Sequence, residues 1–301
     1  MKSRFLALTA LTVLLFGSCA GQNSGARDKP SSARAPEGGQ RHVYKTVGES
    51  DLPLYVYAPA DHSPESTKPA VVFFFGGGWR NGSPSQFEQH CKHFAGRGMV
   101  AITVEYRVSS RYEVKVEDCI EDAKSAMRWV RSNAKSLGVD PKRVAAGGGS
   151  AGGHLAACTS LIEDFDAPSD PGDVSAQPDA MVLFNPYMGD ANATGKNERA
   201  RGPIEKAIPY TYAKSEQPPC IMFFGTKDKL LQGAEAFQRL SSDAGNACKL
   251  VTYEGQGHGF FNYGKSKNKY YELTVDEADR FFVDLGWLKP VDEKGGNTQA
   301  K

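Results

Sequence analysis

Short apolar runs and helical stretches take turns along this chain, and that alternation restricts the fold more than any other feature. AVVFFF (70–75), MVAITVEYR (99–107), RVAAGG (143–148), AMVLFNP (180–186), CIMFFG (220–225) and CKLVTYEG (248–255) have strand length and strand composition. A continuous apolar run suits a strand buried on both faces. Helical stretches separate them, over 85–95, 116–137, 151–163, 231–240 and 274–285. The clearest is 116–137, with apolar residues at 116, 119, 120, 123, 127, 130, 134 and 137 on one face and Gly138 as its stop. Strands alternating with helices predict an α/β fold, a mostly parallel central sheet flanked by helices. HVYKTV (42–47) and PLYVYAP (53–59) alternate apolar and polar residues and add an antiparallel N-terminal edge. No strand signal appears between Tyr187 and Pro219, which reads as an insertion at the C-terminal edge of the sheet.

The ends of the chain read differently. Residues 1–20 carry Lys2 and Arg4, a twelve-residue apolar run from Phe5 to Phe16, and then small residues. This is the pattern of a secretory signal peptide, too short to span a bilayer. Phe16-Gly17-Ser18-Cys19 resembles a lipoprotein cleavage box, with Cys19 as the lipidated residue; ordinary cleavage after Ala20 is the alternative. The expected location is exported: a periplasmic or outer-membrane-anchored lipoprotein, or a secreted protein. Between Gly21 and Arg41 the only apolar residues are three alanines, so 21–41 reads as a flexible tether. Residues 42–290 are left for one folded domain and 291–301 for a loose tail.

Charge excludes one class of function. The net charge is +1, falling to −1 once Lys2 and Arg4 are removed, with no basic footprint for nucleic acid. Membrane association is expected only through the N-terminal lipid. Six cysteines occur, at most five of them in the folded body, and they read mainly as buried small hydrophobes.

The sequence GGGSAGGH (147–154) concentrates five glycines in seven residues around Ser150, between a strand and a helix. Gly148-x-Ser150-x-Gly152 fits the G-x-S-x-G turn that presents a serine hydroxyl at a sheet edge. Bulky side chains two residues to either side would collide across that turn. A Walker loop needs Lys-Ser/Thr after its last glycine, where His154 stands, and a dinucleotide loop opens the first βα unit, which this one does not. A second cluster, FFFGGGWRNG (73–82), follows a buried strand. It brings the N–H groups of Gly77 and Gly78 toward the serine, to form an oxyanion hole with the N–H of Ala151. A tight loop around Trp79 is the structural alternative.

A serine hydroxyl needs a base. His42 and His62 lie ahead of the site-building strands. His90 and His93 flank Cys91 on a helix and read as solvated, with a metal site there only a minor alternative. His154 lies on the helix after Ser150 and reads as a buttress for the turn. His258 sits in GQGHGFF after the last strand, between two glycines, and suits the role of base. Asp228, in GTKDKLL after the preceding strand, would orient it, although a helix cap would also explain an aspartate there. The order Ser150, Asp228, His258 is that of α/β-hydrolases.

FFGGGW, GGGSAGGH, GTKD and GHGF together resemble the α/β-hydrolase superfamily. Over residues 42–288 the likeness is to bacterial exported esterase and lipase-type proteins related to bifunctional feruloyl and acetyl-xylan esterases. That resemblance implies Ser150 as nucleophile, His258 as base, Asp228 as its orienting acid, and Gly77, Gly78 and Ala151 as oxyanion donors. It implies hydrolysis of short-acyl esters, acetyl or feruloyl, on a small ester or an acylated polysaccharide, with neither metal nor organic cofactor. Hormone-sensitive-lipase-like relatives carry His-Gly-Gly-Gly, and here Phe75 takes the histidine's place. Trp79 and Tyr187, with Tyr210 and Tyr212, are candidates to line a sugar- or aryl-binding cleft, or are ordinary packing. Two rival functions remain: a serine peptidase of the prolyl-oligopeptidase type, for whose extra module there is no room, and a non-catalytic binding protein on the same fold.

Overall fold

A computed structural model describes residues 34–189, 204–213 and 216–291. The signal segment with Cys19, the first part of the tether, residues 190–203 of the insertion and residues 292–301 lie outside the described residues. Eight strands form a single sheet in the order β1-β2-β4-β3-β5-β6-β7-β8. They are β1 (Gln40–Val47), β2 (Ser50–Tyr57), β3 (Lys68–Phe74), β4 (Val100–Val104), β5 (Val139–Gly149), β6 (Ala180–Phe184), β7 (Cys220–Gly225) and β8 (Cys248–Tyr253). Strands β1 and β2 are antiparallel to their neighbours, and every pair from β4 to β8 is parallel. The helices are α1 (Glu88–Gly96), α2 (Val116–Ser132), α3 (Ala151–Leu161), α4 (Leu231–Asp243) and α5 (Lys269–Asp284).

The pleat divides the core in two. Along β3, Ala70, Val72 and Phe74 face the α2 and α3 side, while Val71 and Phe73 face the α1 and α5 side, because successive side chains alternate. The first cluster joins those strand residues to Ile120, Met127, Leu155 and Phe237. The second joins them to Phe87, Phe94 and Phe282. Both faces of the parallel part are therefore covered, as its continuous apolar strands require. Charged side chains are buried with them. Arg107, just past β4, donates to both oxygens of Asp122 on α2 at 2.7 and 2.8 Å, and Lys45 of β1 reaches the same carboxylate at 2.9 Å. Buried charges persist only when paired in this way.

The structure corrects several boundaries. The tether ends sooner than its composition suggests: Gln40 and Arg41 already pair in β1, and Glu37 N–H donates to Glu88 at 3.0 Å. Helix α2 stops at Ser132, where the Asn133 side-chain amide donates to the Trp129 carbonyl at 2.8 Å and competes with the helical ladder. Helix α5 begins at Lys269, earlier than its apolar pattern shows, after Asn268 in the left-handed region (φ 67°). Cys91, Cys119, Cys158 and Cys220 are buried free thiols, and Cys248 is half-buried. Among the described residues no helix is long and apolar enough to cross a membrane.

Candidate active site

Three loops at the C-terminal ends of parallel strands meet at one point. The first is the turn from β5 into α3, where Ser150 is held at φ 53° and ψ −116°. A non-glycine residue rarely adopts positive φ, and such strain persists only when its surroundings over-determine it. Here the Ser150 N–H donates to the Phe184 carbonyl, and its own carbonyl accepts from His154 N–H and Tyr187 N–H. The flanking glycines are required. A Cβ on Gly148 would lie 2.5 Å from the Gly152 carbonyl carbon, and one on Gly152 would lie 2.0 Å from the Phe74 carbonyl oxygen. Strand, turn and helix can be this close only without those side chains.

The second and third loops follow β7 and β8. Asp228 Oδ2 lies 2.7 Å from His258 Nδ1, and His258 Nε2 lies 2.8 Å from Ser150 Oγ. The Asp228 carboxylate is 2% exposed, whereas the imidazole is 43% exposed. The other Asp228 oxygen accepts the Leu230 N–H at 3.0 Å, next to the start of α4, so this aspartate also satisfies an orphan donor of the helix N-terminus. The imidazole is thus fixed at one nitrogen and offers the other to a hydroxyl, the arrangement that activates a nucleophile.

The glycine loop after β3 supplies the opposite wall. Gly77, Gly78 and Trp79 have φ values of 132°, 63° and 57° in succession. The Gly77 carbonyl accepts the N–H groups of Arg80 and Asn81, and a Cβ on Gly77 would fall 2.1 Å from the Asn81 carbonyl oxygen. The N–H groups of Gly77, Gly78 and Ala151 bond to no described residue. Gly76, Gly77, Gly78, Ser150 and His258 line one cavity of about 670 Å³. Free donors beside a serine and an imidazole suit a reaction that places negative charge on an oxygen.

A Thermogutta terrifontis esterase 2 structure in its apo form superposes with a TM-score of 0.82 at 47% sequence identity, covering 85% of this chain and 98% of that one. The chain belongs to the α/β-hydrolase esterase family. The same enzyme with propionate bound gives a TM-score of 0.81 at 45% identity, over 85% of this chain and 97% of that one. The BD-FAE family model matches residues 54–178. The esterase is 26% identical to carboxylesterase NlhH of Mycobacterium tuberculosis over 72% of this chain and 73% of the relative. It is 26% identical to an ethyl acetate hydrolase of Pseudomonas putida over 77% and 76%. It is a carboxylic ester hydrolase.

Within the esterase several residues take places that differ from their sequence reading. His90 is not solvated: it is fully buried and packs on Phe87, Phe184 and Tyr271. His93 is partly exposed and pairs with Asp279 at 3.2 Å. His154 turns from the Ser150 turn to the insertion, its Nε2 lying 2.7 Å from the Ala207 carbonyl. Trp79 and Tyr187 are half-buried and are not among the described lining residues of the two cavities that His258 lines; their rings pack on each other and on His154. Trp79 sits edge-on to both at 5.7 and 5.0 Å. Phe75, in the place of the relatives' histidine, stacks on Tyr106 at 4.2 Å, and the Tyr106 hydroxyl donates to the Phe75 carbonyl. The glycine loop is then pinned from the segment after β4: Ser109 and Ser110 N–H donate to the Trp79 and Arg80 carbonyls, and Arg111 donates to that of Gly82.

Sequence reading missed a polar bridge between the loops. Gln86 accepts the Gly76 N–H at 2.6 Å and donates to Asn262 at 2.7 Å, and Asn262 donates to the Gly259 carbonyl at 2.8 Å. Asn185, past β6, accepts the Gly259 N–H at 2.8 Å. The residue beside His258 is therefore held from both its amide and its carbonyl. No local pattern marks Gln86 and Asn262, which lie 176 residues apart.

Proposed function

We propose that this esterase is an exported serine carboxylesterase that removes short acyl groups, acetate first, from acylated polysaccharide. The observation that carries the reading is the unbroken path from Asp228 through His258 to the Ser150 hydroxyl, at 2.7 and 2.8 Å. His258 takes the Ser150 proton as the oxygen attacks the ester carbonyl. The oxyanion rests on the N–H groups of Ala151 and of Gly77 or Gly78, where losing one donor costs about 3–4 kcal/mol of transition-state stabilisation. Protonated His258 passes its proton to the departing alcohol, and water clears the acyl-enzyme through the same base. Asp228 holds the imidazole tautomer throughout.

The cavity supports a small acyl group and a hydrated alcohol. Its only large apolar side chain among the described residues is Phe261, beside Ser83, Ser85, Gln86 and Asn262. Two relatives, an ethyl acetate hydrolase and an esterase with bound propionate, point to the same acyl size. The leader-like sequence of residues 1–20 supports export, with Cys19 as the lipid attachment. Release of acetate from p-nitrophenyl acetate and acetylated xylan, and of ferulate from methyl ferulate, is to be compared with cleavage of a proline-blocked peptide. Ser150→Ala and His258→Ala should each lower turnover by several orders of magnitude with the fold intact. Cleavage of the peptide alone, or loss of activity in His154→Ala but not in His258→Ala, would overturn the assignment.

A further inference from the structure

We infer that the esterase selects esters whose alcohol carries a negative charge, recognised by Lys227, Lys229 and Lys265 around the imidazole. The inference rests on the proposed reaction at Ser150 and names its substrate class.

His258 stands between two cavities. The first is the one shared with Ser150, and Lys265 is the only charged side chain among its described lining residues other than His258 itself. The second, of about 420 Å³, is lined by His258, Asp228 and Leu230 together with Lys227 and Lys229. The Lys265 ammonium lies against the backbone next to the base, since a Cβ built on Gly259 would be 3.2 Å from its Nζ. Lys227, Lys229 and Lys265 therefore line the two cavities that share His258, the base that protonates the departing alcohol.

Nothing described neutralises them. Lys45, Lys68, Lys92, Lys124 and Lys249 are all paired with carboxylates. No described carboxylate lies within ion-pair distance of Lys227, Lys229 or Lys265. Among the described residues lining the two cavities the one acid is Asp228, which is 2% exposed and already bonded to His258 and the Leu230 N–H. The positive site is not a consequence of a basic protein either, because the whole chain carries 36 basic and 35 acidic residues. A cleft of one sign concentrates a counter-charged substrate and raises its association rate by roughly 10–10³ at low salt. The neighbouring hydrogen-bonding groups, Ser83, Ser85, Gln86 and Asn262, suit hydroxyls rather than an alkyl chain. A hydroxylated alcohol bearing an oxyanion fits both features: an acetylated sugar with a carboxylate or a sulfate.

The test compares the acetate esters of 4-hydroxybenzoate, 4-hydroxybenzenesulfonate and neutral 4-hydroxybenzamide. Each kcat/KM is divided by the rate constant for hydroxide-catalysed hydrolysis, to remove leaving-group differences. The expected result for the full protein is an advantage of about tenfold or more for the anionic esters at low ionic strength, most of it lost in about 0.5 M salt. The double variant Lys229→Gln/Lys265→Gln should lower that advantage and flatten the salt dependence. A benefit for the carboxylate alone assigns a uronate; a benefit for the sulfonate alone assigns a sulfated sugar. Equal, salt-independent values for all three esters would overturn the inference while leaving the esterase reading intact. Absence of hydrolysis of every ester, p-nitrophenyl acetate included, would overturn both. The salt series on the unaltered protein decides the question even if the variant does not fold.

Discussion

Lowering the pH from 6.5 to 5 should remove about 3 kcal/mol from the stability of this esterase, and two buried histidines explain why. His90 lies on α1 at zero exposure, and neither of its ring nitrogens has a described hydrogen-bond partner. Burial pushes its pKa down to about 3. His154, equally buried, is pushed down to about 4 by burial, with the Ala207 carbonyl opposing part of the shift. In the unfolded chain both return to about 6.5. Because the folded values lie below the unfolded ones, both contributions are complete above about pH 6.5 and fade as the pH falls toward 4 and 3. At pH 6.5 the unfolded chain already carries about half of each proton and by pH 5 nearly all of both, while the folded protein gains almost none. Together the two histidines then cost about 3 kcal/mol, less than the full 1.36 kcal/mol per pH unit each because the unfolded imidazoles are half protonated at the start.

Urea unfolding at 25 °C, followed by circular dichroism at half-unit pH steps, measures this directly. His90→Met places an unbranched apolar side chain among the same rings and should halve the slope. A free energy of unfolding that changes by less than about 1 kcal/mol between pH 6.5 and 5 would refute the argument, as would a His90→Met variant with the full slope.

Two further perturbations test the site. Gly152→Ala would set a Cβ 2.0 Å from the Phe74 carbonyl oxygen and 2.4 Å from that of Phe75, so α3 must move by about 1 Å; a shift of that size at Ser150 should cost about 10² in kcat. Gly172→Ala, where a Cβ meets nothing within 4 Å, should leave kcat and the melting temperature unchanged, and ester hydrolysis with thermal unfolding of both variants checks the contrast. Asp228→Asn keeps the shape of the side chain but removes the charge that fixes the His258 tautomer; single-turnover kinetics should show a loss of about 10⁴ with the fold retained.

How far the chain could be read without coordinates depended on whether a residue's neighbours in space were also its neighbours in sequence. Strands β3, β4, β6 and β7 were legible because parallel strands covered on both faces must be apolar throughout, and CIMFFG matches β7 end to end. The turn at Ser150 was legible because its constraint is local: Gly148 and Gly152 lie close to each other, four residues apart. Asp228 and His258 were legible as positions after consecutive strands at the same edge of the sheet.

His90 was misread although a signal existed. Phe87, His90, Cys91 and Phe94 repeat at helical spacing, so the face that carries Phe87, at the N-cap of α1, and Cys91 and Phe94, on α1, into the core carries the imidazole with them. His93, one step round the helix, escapes that face and finds Asp279, 186 residues away, which no periodicity could disclose. The same limit hid the Gln86–Asn262 bridge and the Asn185–Gly259 bond. These contacts hold together loops whose chemistry-bearing residues were themselves legible. Local rules therefore identified the groups that react, while the contacts that aim them arise only when distant strands fold side by side, because a hydrogen bond across the sheet edge leaves no periodic trace in either partner.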